Sequence, residues 1–322
     1  MTEDQCLGCL LGLARGDAFG APYEGRLPER LVWRLIGRTR QGERRWTDDT
    51  HMALDLAQWL IETDGADLDN LARRFAASYR WSRGYGPGAA RLLKRIARRE
   101  DWRVANRAIY PDGSFGNGAA MRAPVVGLFY LEERDKVMEA ACLSAKITHA
   151  HPLGVEGAVL LAFATSLVLQ GRGPLEVLQG ADAFCESPDF TQRLEIATNW
   201  LSRNEAPSAR EVNKRIGNEV SAMESCVNAL YTAMRFRESP FEEMLDFVIR
   251  AGGDVDTIGA MAGAIWGAKQ GASRLPVEWL NQLEQRSRIE ETALALWRSI
   301  AKRRQQKTRN RSDPKHKMNN GE

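Results

Sequence analysis

Apolar residues recur every three to four positions along most of the chain. Near the start, Cys6, Leu7, Leu10, Leu11 and Ala14 fall on one helical stripe; Met52, Leu56, Trp59 and Leu60 form a second, and Leu92, Leu93 and Ile96 a third. The same period predicts helices over 68–80, 119–131, 136–148, 152–170, 190–203, 208–219, 225–236, 241–251, 258–270 and 283–303. No series of alternating positions calls for a sheet, so the expected class is all-α. Gly, Pro and Asp gather between the periodic stretches, at 16–27, 42–50, 83–88, 111–118, 149–154 and 251–257. Loops on a rigid helical scaffold are where binding and catalytic groups concentrate.

Composition narrows this picture without redirecting it. The 322 residues are 43% apolar and 27% charged, which suits a chain that buries a large core. The net charge of +3 is a property of the C-terminus, because 302–322 carries eight Lys/Arg against two acids. We therefore expect one helical domain over 1–302 and a basic, disordered tail over 303–322, which points at most to weak nucleic-acid contact. Cys6, Cys9, Cys142, Cys185 and Cys226 are too few and too irregularly spaced for a disulfide framework, and with the acidic N-terminus they suggest a reducing, cytoplasmic setting. The longest apolar run, 155–169, contains Glu156 and reads as a buried helix, so no membrane partner is expected.

The chemistry concentrates in two similar clusters. Thr47-Asp48-Asp49-Thr50 stands directly before the stripe of Met52, Leu56 and Trp59, where a single capping residue is ordinary but two carboxylates between two hydroxyls are surplus. Gly252-Gly253-Asp254-Val255-Asp256-Thr257 opens another apolar helix in the same manner. Its Gly259, Gly263 and Gly267 each cost about 1 kcal/mol relative to alanine in a helix interior, a loss that close helix approach would offset. Four Asp and two Thr offer the oxygen ligands that Mg²⁺ or Mn²⁺ prefers. Spacing along the chain does not say whether the two clusters meet.

Four ordered motifs carry a resemblance. They are Gly12-Leu13-Ala14-Arg15-Gly16-Asp17-Ala18-Phe19-Gly20-Ala21-Pro22, then Trp46-Thr47-Asp48-Asp49-Thr50, then Gly116-Asn117-Gly118-Ala119-Ala120-Met121-Arg122, and finally the stretch 251–264 around Asp254-Val255-Asp256-Thr257. Together they resemble the ADP-ribosylglycohydrolases, including the dinitrogenase-reductase-activating enzymes and the animal ADP-ribosylhydrolases. The resemblance implies a single-domain orthogonal helical bundle with two Mg²⁺ (or Mn²⁺) held by Thr47, Asp48, Asp49, Asp254, Asp256 and Thr257. It implies catalytic roles for Glu24, in activating water, and for Asp256. It also implies an ADP-ribose-contacting loop of Gly113, Ser114, Phe115, Gly116, Asn117 and Gly118, whose successive N–H groups could face a pyrophosphate, and a cleft-lining His149. Serine at 114 stands where some nitrogenase-regulating members carry an acid, which leaves Glu24, or Asp112 in its place, as proton acceptor. Arg83, Tyr85 and Phe115 could offer a guanidinium and stacking to the nucleotide, whereas His51 reads as scaffold.

The expected function is metal-dependent hydrolysis of the C1″ glycosidic bond joining ADP-ribose to a protein, nucleic acid or small-molecule acceptor. A metal-dependent phosphohydrolase, or a noncatalytic ADP-ribose-binding or structural protein, would use similar residues. A toxin-neutralising role would add a protein partner.

Overall fold

The computed structural model describes residues 1–25 and 27–312, except the side chains of 27–29 and 308–312. Its helices in order are α1 (Glu3–Gly20), α2 (Leu27–Ile36), α3 (Asp48–Thr63), α4 (Leu68–Ser78), α5 (Pro87–Ala97), α6 (Trp102–Ile109), α7 (Pro124–Tyr130), α8 (Arg134–Lys146), α9 (Pro152–Leu169), α10 (Pro174–Asp182), α11 (Pro188–Ser202), α12 (Ala209–Ile216), α13 (Ala222–Arg235), α14 (Phe241–Ala251), α15 (Val255–Gln270), α16 (Val277–Leu280) and α17 (Arg286–Ser312). Among the described residues there is no strand, only three isolated bridges, so the all-α expectation holds.

α1 starts with a capping box between Thr2 and Gln5, with Glu3 and Asp4 favouring the positive end of the helix dipole. From Gly8 to Gly20 it is buried on every side, as is α15 over its first fourteen residues. These two helices pair antiparallel through glycine. A Cβ on Gly8, Gly12 or Gly16 would lie 2.3, 2.2 or 1.9 Å from the carbonyl oxygen of Gly267, Gly263 or Gly259 respectively. No side chain fits there, so the backbones touch, and the packing gained offsets the helix-propensity loss that the sequence shows. This contact brings the C-terminal end of α1 beside the first turn of α15.

α9 is long and apolar enough to cross a membrane by length and composition, but 72% of it is buried inside the fold, against α7, α8 and α10. A Cβ on Gly127 of α7 would sit 2.0 Å from Ala162 O, another backbone-close crossing. The helix expected over 119–131 is shorter, because 120–123 form turns and Pro124 opens α7 at its first position.

The boundary expected at 302/303 also shifts, since α17 continues to Ser312. Arg303 is held there by Glu133, at 2.7 Å, and by Asp64, and its guanidinium lies over Phe129 and Tyr130. Arg304 meets Glu132 at 3.1 Å. The first basic residues of the expected tail therefore face acids of this chain. Residues 313–322 lie outside the described residues.

Candidate metal centre and ligand cleft

Thr47 is the N-cap of α3, and its hydroxyl accepts from Asp49 N at 3.3 Å. Most of the capping, however, comes from another helix. The Asp17 carboxylate on α1 accepts from Thr47 N at 2.9 and 3.0 Å, from Thr50 N at 3.0 Å and from Thr50 Oγ1 at 2.5 Å. A buried carboxylate thus satisfies N–H groups that Asp48 and Asp49 would otherwise be available to serve. The approach to α3 is fixed on the other side by Trp46, whose Nε1 donates to Glu284 O, while Arg83 stacks on the Trp46 ring and pairs with the Glu284 carboxylate.

The second cluster is positioned by backbone geometry and amides. Gly252 and Gly253 take φ of 68° and 78°, a region that disfavours side chains, and a Cβ on Gly253 would meet Asn218 O at 2.2 Å. Asp254 N donates to Asn218 O, and Asn117 Nδ2 donates to Asp254 Oδ2 at 2.5 Å. Asp256 and Thr257 follow in the first turn of α15, with Thr257 N donating to Asp256 Oδ1 at 2.9 Å.

The clusters meet. Thr257 Oγ1 lies 3.4 Å from Asp49 Oδ2, to which it donates, although 208 positions separate them. Carboxylate oxygens of Asp17, Asp49 and Asp256 lie within 4.8 Å of one another, as do those of Glu24, Asp254 and Asp256. Glu24 arrives there because Gly20 passes against Asp256, where a Cβ would be 2.7 Å from its Cα, and Pro22 then turns the chain out of α1.

Burial, followed by the charges of neighbouring acids, holds Asp48, Asp49 and Asp256 well above the usual carboxylate range. Burial also raises Asp254, and it pushes Asp17 up to about 6 despite the hydrogen bonds from Thr50 and Thr47. So many acids cannot all be ionised in one buried pocket without a compensating cation. The donor set fits one: Asp49 Oδ1 is buried and accepts no hydrogen bond from the described residues.

Above the acids opens a cleft of about 290 Å³. Of the residues expected at the site, Glu24, Asp48, Ser114, Gly116, Asn117, Gly118, His149, Asp254, Asp256 and Thr257 line it. Thr47 and Asp49 lie beneath its floor, each 1% exposed. Gly113 and Phe115 are not among the lining residues. Gly113, at φ 84°, makes a turn against the backbone of Ala150 and His151, and half-exposed Phe115 meets the His151 ring edge-on. Exposed Asp112 is also off the lining, which leaves Glu24 the better placed acid.

Within the 113–118 loop the N–H groups of Gly113, Gly116 and Asn117 are taken by acceptors of this chain, that of Gly113 by Tyr110 O. Gly116 N donates to Ser114 Oγ inside the loop, while Asn117 N donates to Val220 O and Ala222 N to Phe115 O, which docks the loop onto 220–222. Asn117 lines the cleft while its Nδ2 donates to Asp254 and to Ser225 Oγ. Arg83 and Tyr85 are scaffold, buried with Glu284 and with His51 Nδ1 respectively, and His51 has the structural role expected of it. Gly84, Gly86, Tyr110 and Val220 line the cleft without having been singled out for it; the Gly-rich 83–88 stretch was the available signal for the first two. Asp17 is the other omission. It stood in plain view in the first motif, but nothing local indicates that it caps a helix thirty residues away.

Residues 1–306 match the family model described as ADP-ribosylglycohydrolase. The chain is 32% identical to the human protein named ADP-ribosylhydrolase ARH3, over 86% of this chain and 88% of that one. It is 27% identical to the ADP-ribosyl-[dinitrogen reductase] glycohydrolase of Rhodospirillum rubrum, over 88% and 91%. A solved structure titled ADP-ribosylglycohydrolase-related protein complex superposes with a TM-score of 0.69 at 29% identity, covering 92% of this chain and 98% of that one.

Proposed function

The chain belongs to the ADP-ribosylglycohydrolase family, whose members hydrolyse glycosidic bonds, and we propose that it releases ADP-ribose from a mono-ADP-ribosylated acceptor in a metal-dependent reaction. The observation that supports this reading is the convergence of Glu24 with Asp254 and Asp256, and of Asp49 with Asp256, under one cleft. Thr47, Asp48, Asp49, Asp254, Asp256 and Thr257 would hold two Mg²⁺ or Mn²⁺, with Asp17 beside them. When bound, such cations supply Lewis-acid polarisation and a template for sugar hydroxyls.

The chain's own groups do the rest. Glu24, beside Asp254 and Asp256, accepts a proton from the attacking water as its oxygen bonds to C1″. The C1″–acceptor bond breaks, the acceptor leaves with its electron pair and takes up the proton that Glu24 accepted, and ADP-ribose is released. Glu24→Gln removes the proton acceptor but keeps the side-chain shape. We expect it to lower turnover by about 10²–10⁴-fold with metal binding retained, measured as free ADP-ribose from a panel of defined mono-ADP-ribosylated acceptors. Near-normal turnover would remove Glu24 from this role, and AMP or inorganic phosphate as product would replace the glycosidic reaction with phosphohydrolysis.

A further inference from the structure

His149 lines the cleft, and its ring is held by a chain of donors that begins at a buried arginine. Arg122 is fully buried, with its guanidinium over the Phe75 ring at 4.8 Å. Its Nη1 donates to Gly118 O at 2.5 Å, and its Nη2 donates to Ser144 O at 3.1 Å and to Thr148 Oγ1 at 2.9 Å. Thr148 Oγ1 in turn lies 2.8 Å from His149 Nδ1.

The direction of the second hydrogen bond follows from the first. A guanidinium only donates, so a lone pair of Thr148 Oγ1 is taken by Arg122. The hydroxyl must still place its own proton. Thr148 is buried, and among the described residues the acceptor within hydrogen-bond distance of that hydroxyl is His149 Nδ1. Thr148 borders the cleft but is only 4% exposed, and the reverse arrangement, with Nδ1–H donating to Oγ1, would leave its hydroxyl proton without an acceptor among the described residues, at a cost of about 1–3 kcal/mol. Nδ1 is therefore the acceptor, and the ring proton sits on Nε2.

Nε2 faces the turn at Gly116–Gly118. A Cβ on Gly118 would lie 2.9 Å from Nε2 and 2.5 Å from Cε1, so the ring occupies space that only glycine leaves. No described residue hydrogen-bonds Nε2, and the ring borders the cleft. One guanidinium thus fixes both the Gly118 carbonyl and, through Thr148, the orientation of the imidazole beside it.

We propose that Arg122 and Thr148 are positioning residues that lock His149 as the Nε2–H tautomer, so that it donates a hydrogen bond to a phosphate or ribose oxygen of the bound ADP-ribose and cannot serve as the proton acceptor. The ligand rests on the glycohydrolase reading above; the tautomer does not. Burial and the Arg122 charge also push the imidazole down to about 3, in keeping with a neutral ring.

The test is ¹⁵N NMR of the full-length, Mg²⁺-loaded protein labelled at its histidine rings, with His149→Asn used to assign the signals. The expected spectrum has a protonated Nε2 and an unprotonated Nδ1 for His149, unchanged between about pH 5.5 and 8. An Nδ1–H ring, or an imidazolium in that range, would overturn the proposal. Thr148→Val keeps the shape and removes the hydroxyl. It should lose the single Nε2–H signature and weaken ADP-ribose binding, and with it KM, by about tenfold with kcat little changed; Thr148→Ser should restore both. A Thr148→Val protein that keeps the tautomer would overturn the relay. If it does not fold, the wild-type and Thr148→Ser spectra still decide the matter. Failure of the glycohydrolase reading looks different: an Nε2–H ring in a protein that binds no ADP-ribose, which overturns the ligand half of the proposal.

Discussion

The two Asp/Thr clusters look alike in sequence, each opening an apolar helix, yet the fold builds them by different means. At α3 most of the capping is supplied from outside, by Asp17 of α1, with Thr47 Oγ1 taking Asp49 N, and the Asp48 and Asp49 carboxylates are left for the centre of the site. At α15 no side chain among the described residues caps the helix; two glycines at positive φ turn the chain and the amides of Asn117 and Asn218 hold Asp254 and its flanks. The difference shows two solutions to one problem. Carboxylates at a helix start are attracted to its own free N–H groups, and they become available to a cation only when something else satisfies those groups or the backbone directs the acids elsewhere.

The comparison predicts where the clusters should behave as one and where they should part. The largest effect is common to both: Asp49→Ala and Asp256→Ala should each reduce turnover by about 10³-fold or more and abolish tight metal binding. Metal titration by calorimetry beside ADP-ribose release checks this, and a near-normal value for either variant would break the unity of the site. Asp17→Asn comes next. Its amide nitrogen would face an N–H or O–H donor of α3, so metal affinity should fall by about 10–100-fold although Asp17 need touch no ion. Unchanged affinity would reduce Asp17 to a fold element.

Asn117→Ala tests the counterpart at the second cluster. Asp254 loses one donor but keeps its backbone anchor to Asn218, so a loss of about tenfold in metal affinity is expected, at the lower end of the same range. A loss larger than that of Asp17→Asn would reverse the ranking drawn here. The smallest effect is on pH dependence. Asp17, raised to about 6, and Asp48, Asp49 and Asp256, raised well above the usual carboxylate range, hold protons in the metal-free fold that the unfolded chain releases above its ordinary carboxylate pKa of about 4. Their contribution to stability is complete below that value and is lost as pH rises through the folded-state values. Thermal unfolding in chelator should therefore show this decline from about pH 4 upward, and saturating Mg²⁺ should flatten it; equal pH profiles with and without Mg²⁺ would argue against a cation between the clusters.

The helical class was legible in the chain because α1, α3, α9 and α15 carry long apolar runs or stripes. The short α2, α6 and α10 were not singled out: eight to ten residues give few repeats of the period, and Pro28 or Pro174 near their starts resembles a loop signal. The continuation of α17 past 302 was hidden for the opposite reason. Arg303 and Arg304 read as solvated basic residues until Glu132, Glu133 and Asp64 are seen opposite them.

At the site, residue type and local order pointed to the two Asp/Thr clusters, because hard-cation ligands have recognisable chemistry, whereas Glu24 and the 113–118 loop were expected from the family resemblance. Asp17 as a remote cap, Asn117 as a support of Asp254, and the docking of Asn117 N on Val220 O could not be read the same way, since each depends on a partner distant in the chain.

By itself, the sequence determined the all-helical scaffold, the glycine spacing that lets α1 and α15 touch, and the supply of oxygen ligands at two helix starts. Only the tertiary structure decided that those starts meet, which oxygens are consumed as caps and which remain for a cation, and on which nitrogen His149 carries its proton. The physical reason is that helical period and residue chemistry are local properties, whereas hydrogen-bond satisfaction and the repulsion of buried charges depend on every group that packing brings within a few ångströms.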